Sequence, residues 1–435
     1  MFRPTGFADL TGRRVGIFGL GVEGRATRRR LAGVTADLVV VDDHPSDDEV
    51  LATADGGLAV LMTCDVVIKS PGIPRRRDDV IALEAHGVSV TSALNLWMHE
   101  VDRTRVIAVT GTKGKSTTTS LIAFFLTCLG EEAVVLGNIG RPPYDPDVAT
   151  SRGWLVVEVS SFQSLDLTLA PSLVCVTSLG ADHLDWHGSL AQYHQDKLQI
   201  TRAAGDHVTL LSPVSELRDA TDSMGGELVI ASKDETGLSE RLGLLGAHND
   251  LNVGLALDAV ARVTGRDVDH VRAAATAHAA HFVPLRGRLT PVATSTRTPL
   301  PLRFVDDGLA TAPLPTLAAL EVFADQSVAL IAGGFDRGVD YRELAEFLDQ
   351  RAHPTHLVFM GPAGERLARQ CRSVARHPAS DMASAVRLAA DALPAGGVVL
   401  LSPAAPSFDA YRDWSERSDD FARCVARYLE TITPD

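Results

Sequence analysis

Short apolar runs punctuate the chain, and the stretches between them carry helical spacing. VGIFGLG, ADLVVVDD and DVVIKSPG come first, and RVIAVTGT, WLVVEVSS, SLVCVTSLG and HVTLLSP follow. SVALIAGG, THLVFMGP and GGVVLLSP lie towards the end. Within each run the hydrophobicity is continuous, which predicts strands covered on both faces. Strands of that kind alternating with helices predict an α/β protein built on mostly parallel sheets. Nearly every run ends in Gly, Ser, Asp or Pro. Ligands of such sheets collect at the carboxyl ends of the strands, so the chemistry is expected there.

Composition narrows the class. Of 435 residues, 45% are hydrophobic and 22% charged, as in a folded globular chain. At roughly 100–200 residues per domain, the length predicts about three domains. Breaks are expected after ALNLWMHEVDRT and near Pro291 in PVATSTRTPLPL, giving residues 1–100, 101–290 and 291–435. The formal net charge of −14 excludes a general nucleic-acid-coating surface, so any anion must be gripped locally. Cys64, Cys128, Cys175, Cys371 and Cys424 lie far apart and are odd in number, which suits free thiols in a reducing compartment. The first residues lack the apolar core of about 7–15 residues that marks a secretory signal. No run is long enough to cross a bilayer. A cytoplasmic chain with no membrane partner is expected.

The most informative stretch is RVIAVTGTKGKSTTTSLIAFFL: a strand, a Gly-rich turn and a helix. Gly111 and Gly114 allow backbone amides to turn inward around an anion. Lys115 adds a charge, Ser116 or Thr117 can ligate Mg²⁺, and the helix start adds its dipole. The strict phosphate-loop pattern places four residues between its glycines, whereas only Thr112 and Lys113 intervene here. A plain capped helix start is the alternative. Glu158 sits in the apolar run WLVVEVSSFQ, where a lone buried carboxylate is costly, so a Mg²⁺ or a salt-bridge partner is expected. After SLVCVTSLG come Asp182, His183, Asp185 and His187, then Tyr193 and Lys197 on one helix face. The two His and two Asp match no usual zinc spacing, and a neighbouring nucleotide favours Mg²⁺.

GTKGKST, EVSSFQ, ADHLDWHGS with YHQDK, and GAHNDLN resemble, in order and spacing, the Mur ligases of peptidoglycan synthesis. The resemblance covers essentially the whole chain and is nearest to the branch that adds glutamate to UDP-N-acetylmuramoyl-L-alanine. It implies a Rossmann-like N-terminal domain binding the UDP-sugar, a central domain like the phosphate-loop NTPases, and a Rossmann-like C-terminal domain that closes on nucleotide and amino acid. It implies activation of a carboxylate by ATP, then amide formation. Gly111, Thr112, Lys113, Gly114, Lys115, Ser116 and Thr117 would hold ATP, with Asn249, Asn252, Arg288 and Asp307. Lys115, Glu158, His183 and Lys197 would be catalytic. Two Mg²⁺ sites would use Ser116, Glu158, His183 and a carbamylated Lys197.

At the N-terminus, GLGVEG (Gly19, Gly21, Gly24) follows a strand, and Asp42–Asp43 end the next strand. Alone this is a dinucleotide fingerprint, and a nicotinamide oxidoreductase would be the natural inference. The resemblance assigns it to the UDP-sugar instead, with Asp42, Ser70, Gly72 and Asn138. For SPGI, a purely structural Gly turn is the alternative. In the C-terminal domain Thr311, Arg337, Ser407 and Trp414 are expected to receive the amino acid.

Here the chain departs from the family pattern: Gly287 and Thr290 flank Arg288 where His and Glu are usual. Leu309 stands where D-glutamate-adding members often carry Lys, although Leu309 could equally be simple packing. Losing an ammonium removes a contact of roughly 1.5–3 kcal/mol unless a cation such as Arg337 compensates. The departure, with the EGRA of Glu23–Ala26, favours the sister branch that adds L-glutamate, whose product a separate epimerase inverts. D-glutamate addition is the alternative. A folylpolyglutamate synthetase-like ligase lacks an N-terminal domain of this kind, and a catalytically silent nucleotide sensor has no use for a second metal. A monomer is expected.

Overall fold

A computed structural model describes residues 2–45, 48–148 and 153–432. Three sheets succeed one another along the chain. The first contains β1 (Arg14–Phe18), β2 (Asp37–Asp42), β3 (Leu51–Ala52), β4 (Val66–Lys69) and β5 (Ser89–Thr91), in the order β3-β2-β1-β4-β5. The second contains β6 (Val106–Thr110), β7 (Ala133–Gly137), β8 (Trp154–Glu158), β9 (Leu173–Val176), β10 (Val208–Leu211) and β11 (Glu227–Ile230), in the order β11-β10-β9-β6-β8-β7. The described pairings in both are parallel.

The third sheet contains β12 (Thr290–Ser295), β13 (Leu302–Asp306), β14 (Val328–Gly333), β15 (Thr355–Met360), β16 (Ala375–Pro378) and β17 (Gly397–Leu401). Its order is β12-β13-β17-β14-β15-β16, parallel except for β12, which runs antiparallel to β13 with a register shift between Pro291 and Ala293. The α/β class with mostly parallel sheets is therefore as the hydrophobic pattern implies.

The continuous apolar runs are interior strands. Every residue of β6 and of β14 is buried, as expected when helices cover both faces of a parallel sheet. Edge strands differ: Glu227, Leu228 and Ile230 of β11 are exposed. One apolar core joins the first two sheets, with Val15, Ile17 and Ile68 packed together with Leu94, Leu96 and Met98 of the helix Ala93–Glu100 and with Val106, Val174 and Val176. Because that core is continuous, the chain up to Leu238, together with Asp250–Ala279, forms one compact unit. Ser239–Asn249 with the chain from Ala280 onward forms a second unit, which holds the third sheet.

In all three sheets the topology sets three adjacent strand ends side by side. These are β2-β1-β4, β9-β6-β8 and β13-β17-β14. Crevices of this kind arise where chain connections diverge to opposite sides of a sheet. Among the described residues no helix is long and apolar enough to cross a membrane. All five cysteines are free thiols.

Candidate active site

The GTKGKST loop leaves β6 and enters the helix Lys115–Cys128 through Gly114, whose φ is 86°. Gly111 has φ 137°, and a Cβ there would lie 2.1 Å from Thr177 Oγ1, so only glycine fits. The loop is braced from the end of β9. Thr112 N donates to Ser178 O at 2.9 Å, Lys113 N donates to Ser178 Oγ at 2.8 Å, and Thr112 Oγ1 accepts from Gly180 N and Tyr193 OH at 2.9 and 3.0 Å. No side-chain hydrogen bond is made at the Gly114 cap of this helix, and a helix start of this kind favours an anion.

Two lysine side chains meet at one backbone oxygen: Lys115 Nζ and Lys197 Nζ donate to Gly111 O at 2.9 and 2.8 Å. Lys197 is 2% exposed, and burial, followed by the nearby charge of Lys115, holds its pKa well below the ordinary lysine range. Glu158, at the end of β8, is 1% exposed. Its Oε1 accepts from Asn138 Nδ2 at 2.7 Å, while its buried Oε2 has no hydrogen-bond partner. An orphaned carboxylate oxygen beside a phosphate loop has the donor chemistry of a Mg²⁺ ligand.

Among the described residues, no three His, Cys, Asp or Glu side chains form a ready-made ion site. An ion here would therefore take the rest of its oxygens from phosphates and water, as Mg²⁺ does. His183 holds a left-handed backbone (φ 48°), with its ring 5.0 Å from that of Phe162 and its side chain half exposed. His187 is committed elsewhere, bonded to Ser161 Oγ and Asp196 Oδ2 at 3.0 and 2.7 Å. Asn252 Oδ1 accepts from Thr118 Oγ1 at 3.3 Å and packs close to Gly114.

At the end of β1, the GLGVEG turn is closed by its own neighbours. Gly19 has φ 95°, Ser70 Oγ donates to Gly19 O at 2.5 Å, and Leu20 N donates to Asp42 Oδ2 at 2.6 Å. A Cβ on Gly24 would lie 2.0 Å from Gly19 O, so this glycine lets the following helix approach the turn. Gly21 and Gly72 are exposed at the rim. Asn138 belongs to the central sheet, through its bond to Glu158. Glu23 accepts from Tyr144 OH and Gln163 Nε2 at 2.7 and 2.6 Å, and burial raises its pKa.

The remaining candidates belong to the second unit. Asn249 Nδ2 donates to Leu245 O at 2.8 Å. Asp307, at the end of β13, accepts from Ser402 Oγ at 2.7 Å and from Leu289 N at 3.3 Å. Burial pushes its pKa up to about 7, with Asp306 adding to the rise and Arg288 opposing it. Arg337 is exposed after β14 and donates to Thr311 O at 3.1 Å. Ser407 is 2% exposed. Gly287 has φ 69°, and a Cβ there would lie 2.7 Å from Trp414, so the indole occupies the space a side chain at this position would need.

Arg417, which no sequence motif announced, is 2% exposed. Its guanidinium donates to Gly308 O, Gly333 O and Ala405 O, tying together the loops after β13, β14 and β17. Burial lowers its pKa to about 10.

Residues 109–224 match the family model of the Mur ligase middle domain. Solved structures share the fold. UDP-N-acetylmuramate-alanine ligase MurC from Thermotoga maritima aligns with a TM-score of 0.53 at 20% identity, over 96% of this chain and 100% of that one. MurF from Acinetobacter baumannii aligns with a TM-score of 0.56 at 17% identity, over 94% and 90%. The fold is thus the one these solved ligases share.

Sequence relatives narrow this further. The UDP-N-acetylmuramoyl-L-alanine--L-glutamate ligase of Micromonospora sp. is 37% identical over 96% of this chain and 97% of its own length. Its namesake in Xanthomonas axonopodis pv. citri is 35% identical over 96% of both. The chain belongs to the Mur ligase family.

Proposed function

We propose that the chain joins L-glutamate to UDP-N-acetylmuramoyl-L-alanine at the expense of ATP, in the cytoplasm. The observation that carries the chemistry is the pairing of Lys115 and Lys197 on Gly111 O beside the unpartnered Oε2 of Glu158. The substrate assignment follows the two relatives named above, together with Leu309 in place of a lysine.

In this proposal the substrate carboxylate attacks the γ-phosphorus and ADP departs. The glutamate amine then attacks the acyl carbon and phosphate leaves. Charge stabilisation and alignment are the needs of such a transfer, and the chain supplies both. Lys115 and the loop amides hold the β- and γ-phosphates, with Asn252 next to the loop. Asn249, Arg288 and Asp307 are the further nucleotide contacts. Gly19, Gly21, Gly24, Asp42, Ser70, Gly72 and Asn138 serve the UDP-sugar; Thr311, Arg337, Ser407 and Trp414 serve glutamate.

Magnesium ions supply positive charge to the phosphate oxygens. Ser116 or Thr117 with Glu158 would hold one ion, and His183 with Lys197 a second. Lys197 suits carbamylation because burial and the charge of Lys115 depress its pKa and so favour the neutral amine, the form whose lone pair can attack carbon dioxide. A separate epimerase would invert the product.

Phosphate release measured with L- and D-glutamate side by side tests the assignment. Release should require ATP, Mg²⁺ and UDP-N-acetylmuramoyl-L-alanine together, and should be fast only with the L enantiomer. Equal or faster release with D-glutamate would assign the chain to the D-glutamate-adding branch.

A further inference from the structure

The loop that follows β4 carries three consecutive arginines, Arg75, Arg76 and Arg77, and looks from sequence like an anion-binding patch. Each is committed to carboxylates instead. Arg75 pairs with Glu84 at 2.9 Å and Asp166 at 3.0 Å, and Arg77 pairs with Asp43 and Asp79, both at 2.6 Å. Arg76 takes Asp196 in a two-pronged grip, with NH2 and NH1 at 2.5 and 3.0 Å from its two oxygens. Asp196 is 2% exposed, so its charge needs such a partner.

Asp196 directly precedes Lys197. Its Oδ2 also faces His187 Nδ1 at 2.7 Å, and His187 Nε2 lies 3.0 Å from Ser161 Oγ, three residues beyond Glu158. With the Nδ1 proton directed at Asp196, Nε2 is left to accept from the serine hydroxyl. A polar chain thus runs Arg76–Asp196–His187–Ser161, from the first sheet to the segments that carry Lys197 and Glu158. The same loop is fastened a second time, by Trp186 Nε1 donating to Gly72 O at 3.2 Å. At its beginning, Ser70 closes the Gly19 turn.

We propose that Arg76 is a positioning residue for phosphoryl transfer. Acting through Asp196 and His187, it holds the segments bearing Lys197 and Glu158 in register with the sheet that presents the acceptor carboxylate. The inference rests on the ligase assignment. It predicts an effect on alignment rather than on affinity, and displacement of a reacting group by an ångström costs about 10²-fold in rate.

Steady-state kinetics of Arg76→Ala, Arg76→Lys, Asp196→Asn and the Arg76→Ala/Asp196→Asn double variant test it, with ATP, Mg²⁺, UDP-N-acetylmuramoyl-L-alanine and L-glutamate. In Arg76→Ala, kcat should fall about 10–100-fold while KM for ATP and for the sugar nucleotide each stay within about threefold. Arg76→Lys should recover part of the loss. The double variant should be no slower than the slower single variant, because both substitutions break one chain.

Wild-type kcat in Arg76→Ala, a loss confined to KM for the sugar nucleotide, or fully multiplicative losses in the double variant would each overturn the proposal. Should Arg76→Ala fail to fold, Arg76→Lys and Asp196→Asn decide by the same criteria. All results are ratios to wild type, so an inactive wild type would refute the assignment instead.

Discussion

The carboxyl edges of the second and third sheets solve the problem of gathering polar groups in different ways. At the end of β6 the work is done by one short contiguous loop: Gly111, Gly114 and Lys115 lie within five residues, and their braces come from the neighbouring strand end. At the ends of β13, β14 and β17, Asp307, Arg337 and Ser407 come from three loops far apart in sequence. Their order depends on Arg417, more than a hundred residues beyond Gly308, whose carbonyl it holds. A loop that carries its own geometry tolerates little variation, whereas a composite rim held by one buried guanidinium can exchange individual side chains.

Three substitutions sharpen this contrast. The largest effect is expected in the contiguous loop. Lys115→Ala should reduce kcat by at least about 10²–10³-fold while leaving the thermal midpoint near wild type, since it removes a charge aimed at transferring phosphate. Near-normal turnover would remove the phosphate-loop assignment. On the composite rim, Arg337→Ala should raise KM for L-glutamate by about 10–100-fold, the loss of one charge-assisted contact, with KM for ATP unchanged. A change in KM for ATP alone would place Arg337 in the nucleotide site.

The smallest effect concerns Asp307. Its folded-state pKa of about 7 lies above the ordinary 3.8. The folded state therefore holds a proton that the unfolded state has released, and stability declines as pH rises between those values. Above about pH 7 the penalty is constant; below about pH 4 it vanishes. Asp307→Asn cannot ionise, so its advantage over wild type in urea melts should grow from pH 4 to pH 7 and then level off. The net advantage above about pH 7 should be on the order of 1–2 kcal/mol, because the amide accepts through only one oxygen and so carries a pH-independent cost that offsets part of the pH-dependent gain. A pH-independent difference would show that Asp307 is ionised throughout.

The same contrast explains what the sequence made legible. The strands anticipated from continuous apolar runs are all interior ones, such as β6, β9 and β14, because burial on both faces leaves no polar alternation. The edge strands β3, β5, β7, β11, β12 and β16 carry no such run, being short, partly exposed or polar, as ARHP of β16 illustrates. LRFVD of β13 is interior, but Arg303 interrupts its apolar run. The GTKGKST turn was readable because its glycines, lysine and hydroxyls are neighbours in sequence.

Other parts of the site were not. Asp196 and Arg76 are 120 residues apart and matter only as a pair. Arg417 sits in an amphipathic helix (Trp414–Ile432), where an arginine ordinarily signals a solvated face. For Asp196, one clue was present: it lies next to Lys197 on a helix whose Tyr193 and Lys197 face inward, and a buried acid demands a partner.

The central claim is that the γ-phosphoryl group passes to a substrate carboxylate before the amide forms. Turnover of UDP-N-acetylmuramoyl-L-alanine labelled with ¹⁸O in its terminal carboxylate tests this directly, with mass analysis of the released phosphate. The account predicts one labelled oxygen in each phosphate released with L-glutamate present. Unlabelled phosphate accompanied by normal amide formation would contradict it.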